Sequence, residues 1–186
     1  VGREKEVLAE LQREYEAALK QINEKIMILQ SDPLTQSRIY QLQYQHALKA
    51  QVEAILEKLH ADEYSTIQQY LSDSYSDSFI STMYCFHKQD VPLILPIDKK
   101  AAVRAVLTDS KIKGSLYAAL GINVKAMKKS ISQEITRGIA SGLSYSDIIR
   151  NLRNATKAPY ANAKTIVRTE GHRIQQASAE DARQRA

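Results

Sequence analysis

The chain has 186 residues, 44% of them hydrophobic, and carries 26 Lys and Arg against 21 Asp and Glu. This hydrophobic share can fill a core, and the length allows one domain or two small ones, so a wholly disordered chain is not expected. Six Gly, four Pro, two Phe and no Trp are too few turn and strand formers for an all-β sandwich. The single Cys excludes an intramolecular disulfide or a cysteine-based zinc site.

The sequence also bears on membranes and on the extent of the chain. No apolar run approaches the ~20 residues of a membrane span, and no signal peptide opens the chain. The first residue is Val rather than Met, and the last segment keeps a helical pattern without a cap. We therefore expect a piece of a longer protein that continues beyond residue 186.

The two halves of the chain carry opposite charge. Residues 1–97 hold 9 basic and 14 acidic side chains, whereas residues 98–186 hold 17 basic and 7 acidic ones. A net positive half attracts polyanions over about 8 Å at physiological salt. Three interpretations stay open: a solvated surface that balances the acidic half, contact with nucleic acid, or an acidic protein partner. The change of sign suggests an acidic long-helix region over 1–90 and a basic helical region over 98–186.

Apolar periodicity predicts three helices in the acidic region. A first helix over 3–30 carries apolar residues at steps of seven, namely Leu8, Tyr15, Ile22 and Leu29. A second helix is predicted over 34–60 and a third over 62–87. The short break at 31–33 favours an antiparallel hairpin of the first two helices.

The basic region is also predicted to be helical. Its segments are a short helix over 98–107, a long one over about 115–140, a short one opened by the capping pair Ser144 and Asp147, and a last one beginning at Pro159. Gly138 and Gly142 are expected to loosen the end of the long helix. Prolines at 92 and 96 make 91–97 an extended connector. The predicted fold is all-α: an N-terminal antiparallel helical hairpin plus a C-terminal helical bundle, with one short extended connector.

The sequence contains residue types that are used in catalysis, but their spacing does not bring them together into a catalytic or metal site. Cys85 and His87 point about 200° apart on a helix, so they cannot form a nucleophile–base pair, and Cys85 is expected in the core. The four His show no metal spacing, and Asp73 with Asp77 supplies too few ligands for Ca²⁺. Phosphate-binding loops are absent. We therefore predict no catalytic residue, no metal and no cofactor.

Six basic residues are candidates for contact with nucleic acid. Few aromatics lie among them, so we expect contact with phosphates rather than base stacking, and no sequence preference. They fall on two predicted helices, Lys125, Lys128 and Lys129 on one, and Lys164, Arg168 and Arg173 on the other.

The run IVRTE at 166–170, in an Ala-rich helix after Pro159 and Tyr160, resembles the signature of phage head morphogenesis proteins. That family includes the minor head proteins similar to phage Mu protein F. Other segments follow in the family's order: a Tyr-rich stretch over 70–84, a helix start at 97–98 and a glycine-containing turn over 138–147. The resemblance covers most of residues 60–186. The sequence departs from the family at Gly171 and His172, where helix formers are expected, and it lacks a Trp near residue 115.

The resemblance implies a non-enzymatic minor capsid protein that is associated with the portal inside the procapsid and assists head assembly or genome delivery. It implies assembly in the bacterial host cytoplasm, phage portal and capsid proteins as partners, phage DNA as a further candidate, and no membrane. It singles out Arg168, Thr169 and Glu170. Two alternatives stay open: a generic helical nucleic-acid-binding module, or the N-terminal part of a protein with an ADP-ribosyltransferase domain beyond residue 186.

The segment Arg168-Thr169-Glu170 has two interpretations of its own. It is either a contact to portal or DNA, or a polar clasp that fixes the last helix in the bundle. Polar groups beside close-packed helices usually satisfy one another, which favours the clasp. On that interpretation Arg168→Ala costs about 2–4 kcal/mol. Glu170 can also reach Arg173 at i, i+3.

Overall fold

A computed structural model describes residues 2–30, 38–88 and 116–185, together with Lys100 and Arg104. These residues form four long helices: α1 (Gly2–Gln30), α2 (Arg38–His87), α3 (Leu116–Ala140) and α4 (Tyr145–Arg185). The described residues contain no strand, and the predicted all-α fold is confirmed. The predicted connector over 91–97 lies outside the described residues, as does the predicted helix over 98–107 except for the helical residues Lys100 and Arg104.

α1 forms as predicted, because one side of it is apolar at helical spacing. The buried positions recur every three or four residues, at Val7, Leu11, Tyr15, Ala18, Ile22 and Ile26. Most of the positions between them are exposed. Of the predicted seam, Tyr15 and Ile22 are buried, whereas Leu8 is only half-buried.

α2 is one helix, so the prediction of two helices over 34–60 and 62–87 was wrong. Its 50 residues contain neither Gly nor Pro. Asp62 looked like a helix start but is an exposed residue in mid-helix. The buried stripe runs through this point without a break, at Leu56, Leu59, Glu63, Ile67 and Leu71. A carboxyl group occupies one core position, which interrupts the apolar pattern but not the helix.

α3 ends in a tight turn that leads directly into α4. The amide of Leu143 donates to the carbonyl of Gly138 at 2.9 Å, and the amide of Gly142 donates to that of Ile139 at 3.2 Å. Gly142 has a φ of 64°, the left-handed conformation that closes this Schellman motif. The glycines therefore end α3 in a defined way, and the expectation that they loosen it was wrong.

The capping pair at the start of α4 is confirmed. The hydroxyl of Ser144 accepts a hydrogen bond from the amide of Asp147 at 3.2 Å and donates to its carboxylate at 2.7 Å. The hydrogen bond that the Ser144 hydroxyl donates to the carboxylate, together with the nearby Arg150, lowers the pKa of Asp147. A Cβ on Gly138 would lie 2.5 Å from Ile148, so the end of α3 lies close against this first turn of α4.

α4 is continuous for 41 residues, and the prediction that a separate helix begins at Pro159 was wrong. Proline lacks an N–H and costs a helix interior about 3 kcal/mol. Here Pro159 is itself buried, and Leu152 before it and Ala163 after it are fully buried. Burial on both sides of the proline therefore offsets the lost hydrogen bond.

Contacts divide the described residues into two compact units. The first unit comprises the described parts of Val1–Glu10, Tyr64–Leu120 and Ala163–Ala186, and the second those of Leu11–Glu63 and Gly121–Asn162. In the first unit Arg3 pairs with Asp77. In the second Tyr15 bonds Glu63.

Candidate functional site

The signature residues lie on α4 in the first unit and face different ways. Arg168 and Thr169 are exposed, whereas Glu170 is fully buried. Positions 168 and 170 lie about 200° apart around a helix. The three side chains therefore cannot form one contact surface, and each needs its own explanation.

Glu170 and Arg173 form the buried ion pair of this helix. Arg173 donates to the Glu170 carboxylate at 2.6 Å, and the two side chains are 21% and 0% exposed. The predicted i, i+3 pair is confirmed. Removing one partner from such a pair is strongly destabilising, at a cost of about 3–5 kcal/mol. This pair lies within α4, so it stabilises the helix and its buried carboxylate without joining α4 to another helix.

Arg168 contacts another helix, as the clasp interpretation expects, but it does so at the surface. Its Nε donates to the carboxylate of Glu4 at 3.2 Å, which ties α4 to the first turns of α1 within the first unit. The Arg168 side chain is 60% exposed. Solvent screens an exposed pair, which contributes about 0–1 kcal/mol. The structure therefore does not support the predicted loss for Arg168→Ala, because Arg168 has no buried carboxylate to compensate.

Gly171, a departure from the family pattern, lies where α4 passes close to α2. A Cβ at this position would lie 2.5 Å from the hydroxyl oxygen of Tyr70 and 2.8 Å from its ring. Tyr70 is itself buried, and burial raises the pKa of its hydroxyl. Glycine is therefore what lets the Tyr70 ring pack against α4.

Three hydrogen bonds hold α2 and α4 together near this point. Ser178 donates to the carbonyl of Tyr75 at 2.6 Å, and Ser78 donates to the carbonyl of Gln175 at 3.0 Å. The hydroxyl of Tyr75 donates to the carboxylate of Asp181. The Tyr-rich segment and the helix that carries the signature thus pack directly against each other in the first unit.

The six candidate basic residues are divided between the two units. Lys125, Lys128 and Lys129 lie on α3 in the second unit, and Lys164, Arg168 and Arg173 lie on α4 in the first. Among the described residues, Lys125 and Lys129 are exposed and have no ion-pair partner, whereas Lys128 pairs with Glu53. Arg173 is committed to Glu170. Lys125 and Lys129, one turn apart, are therefore the best placed for an external anion.

A second basic group was missed in the sequence. Arg150, Arg153 and Lys157 are exposed on α4 in the second unit and share one helix face at i, i+3 and i+7. Arg150 also pairs with Asp147 at 2.7 Å. The i, i+3, i+7 spacing becomes apparent only when this segment is treated as one helix. The sequence prediction instead started a new helix at Pro159, and the pattern was overlooked.

The Cys and His residues that were considered for catalysis or metal binding do not form such a site in the described part of the chain. Cys85 is exposed, so its expected place in the core was wrong, because the buried face of α2 passes through Phe79 and Met83 instead. His46 is exposed, and so is His172, which bonds Gln176 at 2.9 Å. In the part of the chain that the structure describes, no three His, Cys, Asp or Glu residues are grouped as metal ligands. No described helix combines the length and apolar character needed to cross a bilayer.

The second unit contains a buried carboxyl group that the sequence interpretation did not single out. Glu63 is 0% exposed, and the hydroxyl of Tyr15 donates to its Oε2 at 2.9 Å. Its Oε1 has no hydrogen-bond partner among the described residues. Burial raises the pKa of Glu63 to about 8, against the opposing effect of the Tyr15 bond, and the Glu14 carboxylate raises it further. The sequence did contain a signal of this burial. Glu63 lies four residues after Leu59 and four before Ile67, so it falls on the same buried face of the helix.

Comparison with protein-family models, with curated proteins and with solved structures found no match. The function is therefore inferred from the residues and contacts described above.

Proposed function

We propose that this chain is a minor head protein of a phage, a non-enzymatic component that binds the portal and capsid proteins inside the procapsid and assists head assembly or genome delivery. It would be assembled in the cytoplasm of the bacterial host and remain in the procapsid or virion. The proposal starts from the ordered set of segments that resembles the head morphogenesis family.

One observation carries the proposal furthest. The Tyr-rich segment and the signature segment are about 90 residues apart in the chain, yet Tyr70 packs on Gly171 and Tyr75 bonds Ser178. The Tyr-rich segment thus packs against the helix that carries the signature, at positions one to eight residues beyond it. This is what is expected if the two were retained together as the framework of one domain, with Arg168 and Thr169 left exposed on it.

The experiment is co-expression of the chain with the portal and major capsid proteins of its phage, followed by affinity capture of the portal. Capture of the chain with the portal supports the proposal. Arg168→Glu should reduce capture at least tenfold, whereas Arg183→Glu, a similarly exposed Arg on the same helix, should not. Absence of the folded parent chain from the captured portal and from co-purified procapsids would contradict the proposal.

A second candidate function is binding of nucleic acid without sequence preference. The exposed Lys125 and Lys129 on α3 favour it, together with the basic face of α4 at Arg150, Arg153 and Lys157. Each phosphate neutralised releases counterions, so affinity should fall steeply with salt.

Filter binding to duplex DNA over a salt series tests this second function. The double variant Lys125→Gln/Lys129→Gln should reduce the slope of log K against log salt by about 2. Lys58→Gln, which changes an exposed Lys on α2 in the same unit, is the matched control and should leave the slope unchanged. Binding that is absent at low salt, or does not depend on salt, would contradict this second function.

A further inference from the structure

The Glu63 carboxyl lies in the interior of the second unit without a cation to balance it. Among the described residues it bonds only Tyr15, at 2.9 Å, and no Lys or Arg pairs with it. A buried carboxylate with one hydrogen bond and no cation beside it is strongly disfavoured. The closed packing of α1 on α2 therefore favours the neutral acid at this position.

The groups around this carboxyl affect its ionisation in opposite directions. From α1, Tyr15 donates to it and the Glu14 carboxylate repels its charge. From α4, the Tyr160 ring packs on Tyr15 with centroids 5.3 Å apart, and Glu16 lies near Tyr160. On α2 itself, His60 precedes Glu63 by one turn.

α3 passes close to this part of α2, since a Cβ on its Gly121 would lie 3.2 Å from the His60 ring. The described neighbours of Glu63 are thus the Tyr15 hydroxyl, the Glu14 carboxylate and, one turn away on α2, the His60 imidazole.

We propose that Glu63 and Tyr15 form a proton-dependent latch that closes α1 onto α2 in the second unit. With the proton on Glu63, Tyr15 packs over the neutral acid and the two helices stay closed. Loss of the proton creates a buried anion, which reaches water only if α1 separates from α2 around Tyr15. The latch is a conformational device of the fold, and it does not depend on the chain being a phage head protein.

The latch predicts a specific dependence of local opening on pH. The ordinary pKa of a Glu carboxyl is 4.5 and that of Glu63 in the folded chain is about 8. Between these two values the closed state holds a proton that the open state releases, so the opening constant should rise about tenfold per pH unit.

Amide hydrogen exchange of the full chain at pH 6, 7 and 8 tests the latch, with rates corrected for the intrinsic effect of pH. Protection factors around residues 11–18 and 56–67 should fall about tenfold per pH unit in the parent. In Glu63→Gln, which keeps an acceptor for Tyr15, they should not change with pH. Glu57→Gln, an exposed position on the same helix, should behave as the parent does.

Tyr15→Phe supplies a second test should Glu63→Gln fold poorly. The Tyr15 bond lowers the pKa of Glu63, so its removal should extend the fall in protection to higher pH. Protection factors around residues 56–67 that are independent of pH in the parent would overturn the latch. The same fall in Glu63→Gln would overturn it too.

Discussion

The ring of Tyr70 lies so close to Gly171 that a methyl group on the glycine would meet the tyrosine hydroxyl at 2.5 Å. This contact accounts for the presence of a glycine in the middle of α4. Glycine in a helix interior costs about 1 kcal/mol relative to Ala, so its presence here needs a packing reason. Tyr70 is that reason.

Gly171→Ala should therefore destabilise the chain, against the usual effect of this change in a helix. Overpacking at a buried contact costs about 1–3 kcal/mol, which exceeds the gain in helix propensity. Chemical denaturation measures the loss. Gly2→Ala is the matched control, because nothing lies within 4 Å of a Cβ there. The loss should shrink in the double variant Gly171→Ala/Tyr70→Ala, and simple additivity of the two effects would show that Tyr70 is not the cause.

The ion pairs of the signature segment should differ sharply in their contribution to stability. Glu170 is fully buried, so Arg173→Ala should cost about 3–5 kcal/mol. Arg168 bonds Glu4 on the surface, so Arg168→Ala should cost less than about 1 kcal/mol. Thermal or urea unfolding of the two variants side by side checks this. A larger loss of stability in Arg168→Ala than in Arg173→Ala would contradict this expectation and support the stabilising clasp predicted for Arg168 from the sequence.

Stability should fall as pH rises through the neutral range. The pKa of Glu63 is raised, to about 8, so the native state holds a proton that the unfolded chain has already lost. Its contribution is therefore fully present below pH 4.5 and disappears as pH rises through 8, by up to about 1.4 kcal/mol per pH unit. Urea midpoints of the parent and of Glu63→Gln from pH 5 to 9 measure it. The variant should be the more stable of the two at pH 8, and parallel curves would contradict the assignment to Glu63.

The turn between α3 and α4 should depend on one backbone conformation. Gly142 has a φ of 64°, which costs a residue with a Cβ roughly 1 kcal/mol or more. Nothing lies within 4 Å of a Cβ there, so Gly142→Ala tests the backbone alone. We expect a loss of about 1 kcal/mol by chemical denaturation. Gly142→Asn should recover part of it, because Asn tolerates this conformation better.

Helical periodicity predicted much of this fold because it is a local property. The extents of α1 and α3 and the cap at Ser144 depend on residues within a few turns of one another. The continuity of α2 and α4 was missed because Glu63 and Pro159 violate the local rules. Both are buried, and only packing against other parts of the chain compensates for them. Tertiary context thus overrides the local signal at these two positions.

The candidate site was less predictable than the fold for the same reason. Spacing identified the Glu170–Arg173 pair, since the two residues lie one turn apart. It could not show that Arg168 meets Glu4, 164 residues away in the sequence, or that Tyr15 meets Glu63, 48 residues away. Such partners depend on how the helices pack.

Mass spectrometry of phage procapsids purified from cells that express this sequence tests the proposed function most directly. The account predicts peptides of this chain in the procapsids, at few copies relative to the major capsid protein. It also predicts that the chain is retained in particles carrying Arg183→Glu and largely lost from those carrying Arg168→Glu. Procapsids that contain the portal but no peptide of the expressed, folded chain would contradict it.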